Sequence, residues 1–401
     1  MVISLNFWSK LMFRPVFTLL ACAIAATTYA DSSIDELRAE LARQKAQISA
    51  QQSQLEALTS AIENQSAAAS GVSNATQVGF YGEVHYNSFK EPDAATGKNN
   101  IHAHRAVILL NHAFSDNLHF YSEFEFEGAA DSSDIETEVE QIFIDWRIHP
   151  KVSLNIGQFL VPVGLLNETH EPNVFYGVER NPVEELIIPA TWWEKGVMVR
   201  TLPANGLAVD LAVHNGLRGD INNLGGAEGL REFRQEFGGA RAEDLAYTLR
   251  IKYNGINGLE LGATIQQQEN ITQSNDLLVG GKAAATLLEA HIDYHWQALG
   301  LRALATQWDI DNAVAKATGA DKLSGFYVEP SWKLNDKIGV FARYNQWNTA
   351  ANAIATQDEK QSNIGFNYWI EPRVVLKADI QNTNKANDAG DGFNLGVGLS
   401  F

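Results

Sequence analysis

The chain has 401 residues, 30 of them basic and 48 acidic, for a net charge of −18, with 45% hydrophobic and 10% aromatic side chains. Such acidity excludes a nucleic-acid binder and a protein that adheres to anionic membrane.

The first thirty residues read as a secretory signal. Lys10 and Arg14 precede the apolar run Val16 to Ala26, and Thr28 and Ala30 place small residues at the two positions that matter before Asp31. The run is too short to cross a bilayer as a helix. Leu19 to Cys22 also resembles a lipoprotein cleavage box, although the apolar run before Cys22 would then be very short. Cleavage after Ala30 leaves 28 basic against 48 acidic residues, a charge of −20, and removes the one cysteine. The mature chain then needs neither disulfides nor a thiolate metal site.

Residues 31–62 form the next module. Ile34, Leu41, Ile48, Leu55 and Ile62 recur every seven positions, with Leu37, Gln44, Gln51 and Leu58 three residues after the first four. That a/d seam predicts a coiled coil; the alternative is one amphipathic helix packed on the following domain. Residues 63–77 are rich in Asn, Gln, Ser, Ala and Gly and read as a linker.

From residue 78 to 401 the pattern changes to segments of about ten residues with a period of two. Leu118, Phe120, Phe124 and Phe126 alternate with His119, Tyr121, Glu123, Glu125 and Glu127. Leu288, Ala290, Ile292, Tyr294 and Trp296 alternate with Glu289, His291, Asp293 and His295. The last segment alternates Phe393, Leu395, Val397, Leu399 and Phe401 with small or polar residues. Each strand thus has one apolar and one polar face. Unpaired charges would cost several kcal/mol each in a sandwich core. They suit a water-filled lumen with lipid outside, which requires a closed barrel because lipid satisfies no strand edge.

Sixteen strands are predicted, beginning near residues 79, 101, 118, 138, 152, 195, 207, 244, 258, 286, 299, 322, 337, 361, 373 and 391. The fold class is therefore all-β: a 16-stranded antiparallel transmembrane barrel preceded by a helical coiled coil. Trp146, Trp192, Trp193, Trp296, Trp332, Trp347 and Trp369 lie near strand ends and are expected in interfacial girdles. Residues 162–190 do not alternate, carry four prolines and are too apolar for a solvated loop. They are expected to fold into the lumen and narrow it; the alternative is an extracellular cap.

Three blocks then point to a family. GQFLVPVG from Gly157, FYGVER from Phe175 and WEKGVMV from Trp193 resemble the phosphate-selective porin O/P family, with a likeness covering residues 78–401. The resemblance implies a sixteen-stranded outer-membrane channel, usually trimeric, with its third long loop inside, and in some relatives a periplasmic coiled coil. Phosphate-selective members line the constriction with arginines and the vestibules with lysines. Here the loop offers Arg180 among Glu168, Glu171, Glu179, Glu184 and Glu185, and the opposing wall offers Arg105, Arg147, Arg200 and Arg343. An acidic loop against a basic wall predicts a transverse field with weak ion selectivity, because an anion filter needs a dominant positive potential at its narrowest point. Glu123, Glu125, Arg250, Lys252, His291 and Lys377 are expected to line the rest of the lumen.

No metal or cofactor is expected. His291 and His295 on one strand stand about 13 Å apart and cannot share one ion; His102 and His104 stand about 7 Å apart, too far for a pair without a third ligand. A Gly-x-Ser-x-Gly elbow and a phosphate-binding loop are missing, so an enzyme is not expected. The function expected is passive diffusion of small hydrophilic solutes or ions, anions such as phosphate among them. The alternatives are a barrel anchoring a coiled coil that grips the cell wall, and a barrel hydrolase. Implied partners are the solutes, outer-membrane lipid and lipopolysaccharide, the barrel-insertion machinery, two further copies of the chain and, through the coiled coil, peptidoglycan.

Overall fold

The computed structural model describes residues 76–401 apart from 91–97, 129–134, 227, 236, 354–357 and 386–387. The expected signal sequence, coiled coil and almost all of the linker lie outside the described residues. Sixteen strands follow one another: β1 (Thr76–Phe89), β2 (Lys98–Ser115), β3 (Leu118–Gly128), β4 (Ile135–His149), β5 (Val152–Leu160), β6 (Trp193–Ala204), β7 (Leu207–His214), β8 (Ala246–Ile256), β9 (Leu259–Gln268), β10 (Ala284–Trp296), β11 (Leu299–Asp311), β12 (Lys322–Lys333), β13 (Ile338–Asn348), β14 (Glu359–Glu371), β15 (Val374–Thr383) and β16 (Gly392–Ser400). Every strand pairs antiparallel with its neighbours in sequence, and β1 pairs with β16 to close the barrel. At the seam Phe80 and Phe401 exchange backbone hydrogen bonds of 2.9 and 2.8 Å, and their rings stack at 5.4 Å.

Alternation decides the two faces. Ile364, Phe366, Leu376, Ile380, Phe393 and Leu395 point outward and are exposed, as lipid-facing residues of a barrel must be. Glu83, Arg105, Glu123, Arg250, His291, Arg343, Lys377 and Asp379 share the opposite parity and are buried inside. One end carries short turns and the other long loops, the asymmetry of outer-membrane barrels, whose short turns are periplasmic. Two of these turns depend on glycine. Gly206 and Gly258 adopt φ of 73° and 77°. A Cβ on Gly258 would lie 2.1 Å from the His295 carbonyl.

The aromatic girdle differs from expectation. Trp146, Trp296 and Trp332 are exposed at the short-turn end. Trp192, Trp193 and Trp347 are buried, and Trp369 donates from its indole to the Asn173 carbonyl at 3.3 Å. Trp347 and Trp369 lie on the inward parity of their strands, while Trp192 ends the long loop 161–192 and Trp193 begins β6. These four meet protein rather than lipid.

The largest apolar cluster therefore sits within the barrel. Val161, Val183, Ile187, Ile188 and Trp192 of the long loop pack against Leu287, Leu304, Trp308, Leu323 and Trp347 of β10–β13. Leu217, Ile221, Leu230 and Phe233, from the loop after β7, join them. Each large side chain so buried contributes about 1.5–3 kcal/mol. That apolar content is why residues 161–192 lie on the inner wall.

Candidate functional site

Hydrogen bonds tie the long loop to the inner wall around most of the barrel. The Trp308 indole donates to the Ile187 carbonyl at 2.8 Å, and the Tyr327 hydroxyl to Glu184 at 2.8 Å. Asn367 donates to the Phe175 carbonyl at 3.0 Å, and the Val178 amide to Asp379 at 2.9 Å. Arg343 donates to the carbonyls of Tyr176 and Glu179 at 3.3 and 3.2 Å. On the far side Arg105 donates to the His170 carbonyl at 2.6 Å, and Tyr81 meets the His170 ring at 2.8 Å.

The loop carboxylates are placed differently from one another. Glu184 is fully buried within the loop and accepts the Leu165 and Leu166 amides at 2.6 and 2.8 Å. Glu168 pairs with both Arg200 and Arg250. Burial pushes its carboxyl up, but the two guanidinium groups outweigh burial and hold it at about 2. Glu179 bonds His85 at 3.0 Å and Asn87 at 2.8 Å. There too burial is outweighed, chiefly by His85, and the carboxyl lies at about 2. Glu171 is half-buried near the turn at Val174. Glu185 faces a small cavity with Arg180, and its burial raises its carboxyl.

The wall arginines are matched by carboxylates. Arg105 meets Glu83 at 2.7 Å, Arg302 meets Asp293 at 2.9 Å and Arg343 meets Glu329 at 3.2 Å. Arg200 and Arg250 share Asp210 as well as Glu168. Lys252 pairs with Glu260 at 3.0 Å, and His291 with Glu289 at 2.7 Å. Lys377 places its ammonium 3.5 Å from the ring centre of Phe175. Arg147 is exposed and opens on a separate hollow of about 570 Å³ at the short-turn end, with Lys151, Arg200, Arg250 and Lys252.

A denser charge cluster stands on the other side of the loop. Glu125, Glu127, Glu138 and Glu140 of β3 and β4 line the small cavity opposite Arg180, Arg231 and Arg234. Register explains the crowding. β4 carries a bulge opposite Glu123 and Phe124, so Glu140 is an extra residue and also turns inward. Arg231 and Arg234 come from the loop after β7 and donate to the carbonyls of Ala190 and Thr191. Arg180 donates to Thr191 at 2.8 Å. Burial and Arg105 push the Arg180 guanidinium down. The wall here is acidic, against the basic wall expected from the sequence, while the loops contribute Glu179 and Glu185 beside the three arginines.

Glu138, Glu140, Arg231, Arg234, Tyr81 and His170 are not among the residues expected from the sequence. Glu136, Glu138 and Glu140 repeat every second residue, as Glu123, Glu125 and Glu127 do, and that period was available as a signal. Nothing local marks Arg231 and Arg234, because the loop that carries them has no period.

Among the described residues, three groups have metal-ligand composition: His85, His102 and His104; Glu123, Glu140 and His170; and Glu125, Glu127 and Glu138. In the second, Tyr81 bridges Glu123 at 2.6 Å and His170 at 2.8 Å. Burial outweighs Glu123 there and lowers the His170 imidazole to about 4.

A family model described as phosphate-selective porin O and P matches residues 77–389. The chain belongs to that family. It is an outer-membrane porin barrel, and family and fold point to a channel rather than an enzyme. An uncharacterized protein of Aquifex aeolicus (strain VF5) is 26% identical over 344 residues, covering 77% of this porin and 76% of that protein. The fold is similar to the anion-selective porin of Comamonas acidovorans, with a TM-score of 0.57 and 13% identity over 82% of this chain and 100% of that one. It is also similar to the outer-membrane channel DcaP of Acinetobacter baumannii, with a TM-score of 0.55 and 12% identity over 81% and 97% of the two chains. A third is OmpT of Vibrio cholerae in a trimer form, with a TM-score of 0.51 and 15% identity over 82% and 100%.

Proposed function

We propose that this porin is a passive diffusion channel for small hydrophilic solutes and ions, narrowed by the loop 161–192, with no tight phosphate site. The observation that carries the selectivity reading is the pairing of the wall arginines. Arg105, Arg200, Arg250, Arg302 and Arg343 each meet a carboxylate, so their charge is spent locally. A phosphate filter requires surplus positive potential at the narrowest section. The carboxylates of β3 and β4 facing Arg180, Arg231 and Arg234 instead give a field across the lumen, which orients dipolar solutes and favours neither ion sign strongly.

Sixteen-stranded barrels of this kind leave an aqueous channel when open. A homotrimer in the outer membrane, with residues 31–62 in the periplasm, belongs to the same reading. OmpT, similar in fold, has been solved in a trimer form. Planar-bilayer recording tests the proposal. Stepwise conductance, a small reversal potential in a salt gradient and chloride current that persists in millimolar phosphate are expected. Strong phosphate block would overturn the selectivity reading, and absence of conductance would overturn the channel.

A further inference from the structure

We propose that His85, His102 and His104 form a binding site for one divalent transition-metal ion of the zinc, copper or nickel type. It goes beyond the channel reading and does not depend on it.

The site is made by strand pairing. His85 on β1 lies directly across from His102 on β2. Glu83 pairs with Arg105 and Val84 with Ala103, so His104 is an extra residue in a β-bulge. A bulge re-aims a side chain, and here it lets His104 and Arg105 both face inward. The three imidazoles converge as a result. The His85 and His104 rings stack with centres 4.6 Å apart, while His102 stands edge-on to both, at 5.7 and 5.6 Å. One nitrogen from each ring can be chosen so that all three lie within 4.8 Å of one another. Zinc–nitrogen bonds of about 2.0–2.1 Å in a tetrahedral site place the nitrogens about 3.4 Å apart. Ion binding must therefore turn the stacked His85 and His104 rings toward a common point by rotation about their side-chain torsions.

The surroundings suit a cation. His85 lies between two carboxylates, Nε2 at 3.1 Å from Glu83 and Nδ1 at 3.0 Å from Glu179. Either carboxylate can supply a fourth ligand, while the other fixes the His85 ring, as carboxylates do behind metal-bound histidines. Arg105 pairs with Glu83 at 2.7 Å, which offsets the guanidinium charge beside the site. His104 also opens on the cavity where Glu125, Glu127, Glu138, Glu140, Glu179 and Glu185 face Arg180, Arg231 and Arg234, so carboxylates outnumber guanidinium groups beside the site. Three imidazoles select zinc, copper or nickel over calcium and magnesium, which prefer oxygen.

The test uses the untagged full chain in detergent, titrated with Zn2+ by calorimetry and with Cu2+ by electron paramagnetic resonance. One ion per chain and nitrogen hyperfine splitting are expected. The His102→Ala/His104→Ala variant should weaken binding by about tenfold or more, since losing even an outer-shell partner costs that much. His104→Gln, which keeps a polar side chain of similar reach, is the second variant. Heat-modifiable gel migration shows that each variant has folded. Absence of zinc binding to the wild type overturns the site, as does undiminished binding in folded His104→Gln. Binding is read without current, so a closed channel would sink the proposed function and leave this inference standing or falling by itself.

Discussion

The Tyr327 hydroxyl donates to Glu184 at 2.8 Å, joining β12 to the long loop across 143 residues of sequence. Both groups are buried inside the barrel, and the same carboxylate also accepts the Leu165 and Leu166 amides. Glu184 thus organises the loop from within and fastens it to the wall.

Tyr327→Phe removes one donor from a buried carboxylate. The cost should be about 1–3 kcal/mol. The apparent Tm in detergent should fall, and single-channel recordings should show more open-state noise as the loop loosens. A quiet channel with unchanged Tm would mean that the apolar packing around Ile187 and Trp308 holds the loop without this bond.

Glu168 between Arg200 and Arg250 gives a pH signature. Its carboxyl lies at about 2 in the folded barrel, against about 4.3 in an unfolded chain. A depressed carboxyl contributes stability that is full above the unfolded value and is lost as pH falls through the folded one. The Tm difference between wild type and Glu168→Gln should therefore be constant from pH 7 to about 5, then shrink toward zero near pH 2. A difference that persists at pH 2 would assign the effect to something other than the ion pairs.

Neighbouring residues on β15 separate lipid from lumen. Leu376 points outward and Lys377 inward, over Phe175 of the loop. Leu376→Arg should cost about 2–4 kcal/mol near the bilayer midplane and reduce insertion. Lys377→Leu should insert normally and change conductance. Insertion defects of equal size from the two substitutions would contradict the assignment of faces.

What was legible in the sequence followed from the period of two. Every strand begins within three residues of its expected start, because side-chain alternation and turn residues are local signals. Parity also identifies Trp347 and Trp369 as inward, yet their position near strand ends suggested lipid. The histidines show the limit of reading one strand at a time. On a regular strand His102 and His104 would stand about 7 Å apart, and only the bulge at His104 and the register of β1 on β2 bring the three rings together. The docking of Arg231 and Arg234 on the Ala190 and Thr191 carbonyls is tertiary and leaves no trace in either segment.

The charge cluster on β3 and β4 offers the sharpest test of selectivity. Glu125, Glu127, Glu138 and Glu140 face Arg180, Arg231 and Arg234 across a cavity of about 50 Å³. Arg231 and Arg234 also cap the end of the loop, so Arg231→Gln and Arg234→Gln keep a donor for those carbonyls while removing charge. The arginine changes leave Arg180 as the guanidinium facing the acidic wall, and the reversal potential in a salt gradient should move toward cations. Glu125→Gln with Glu138→Gln should move it toward anions by a comparable amount. Both shifts should weaken as salt rises, because the screening length falls from about 10 Å at 0.1 M to about 3 Å at 1 M. If neither pair of changes moves the reversal potential, ions do not pass between these groups. The conducting path would then lie on the other side of the loop, past Arg147 and Arg200.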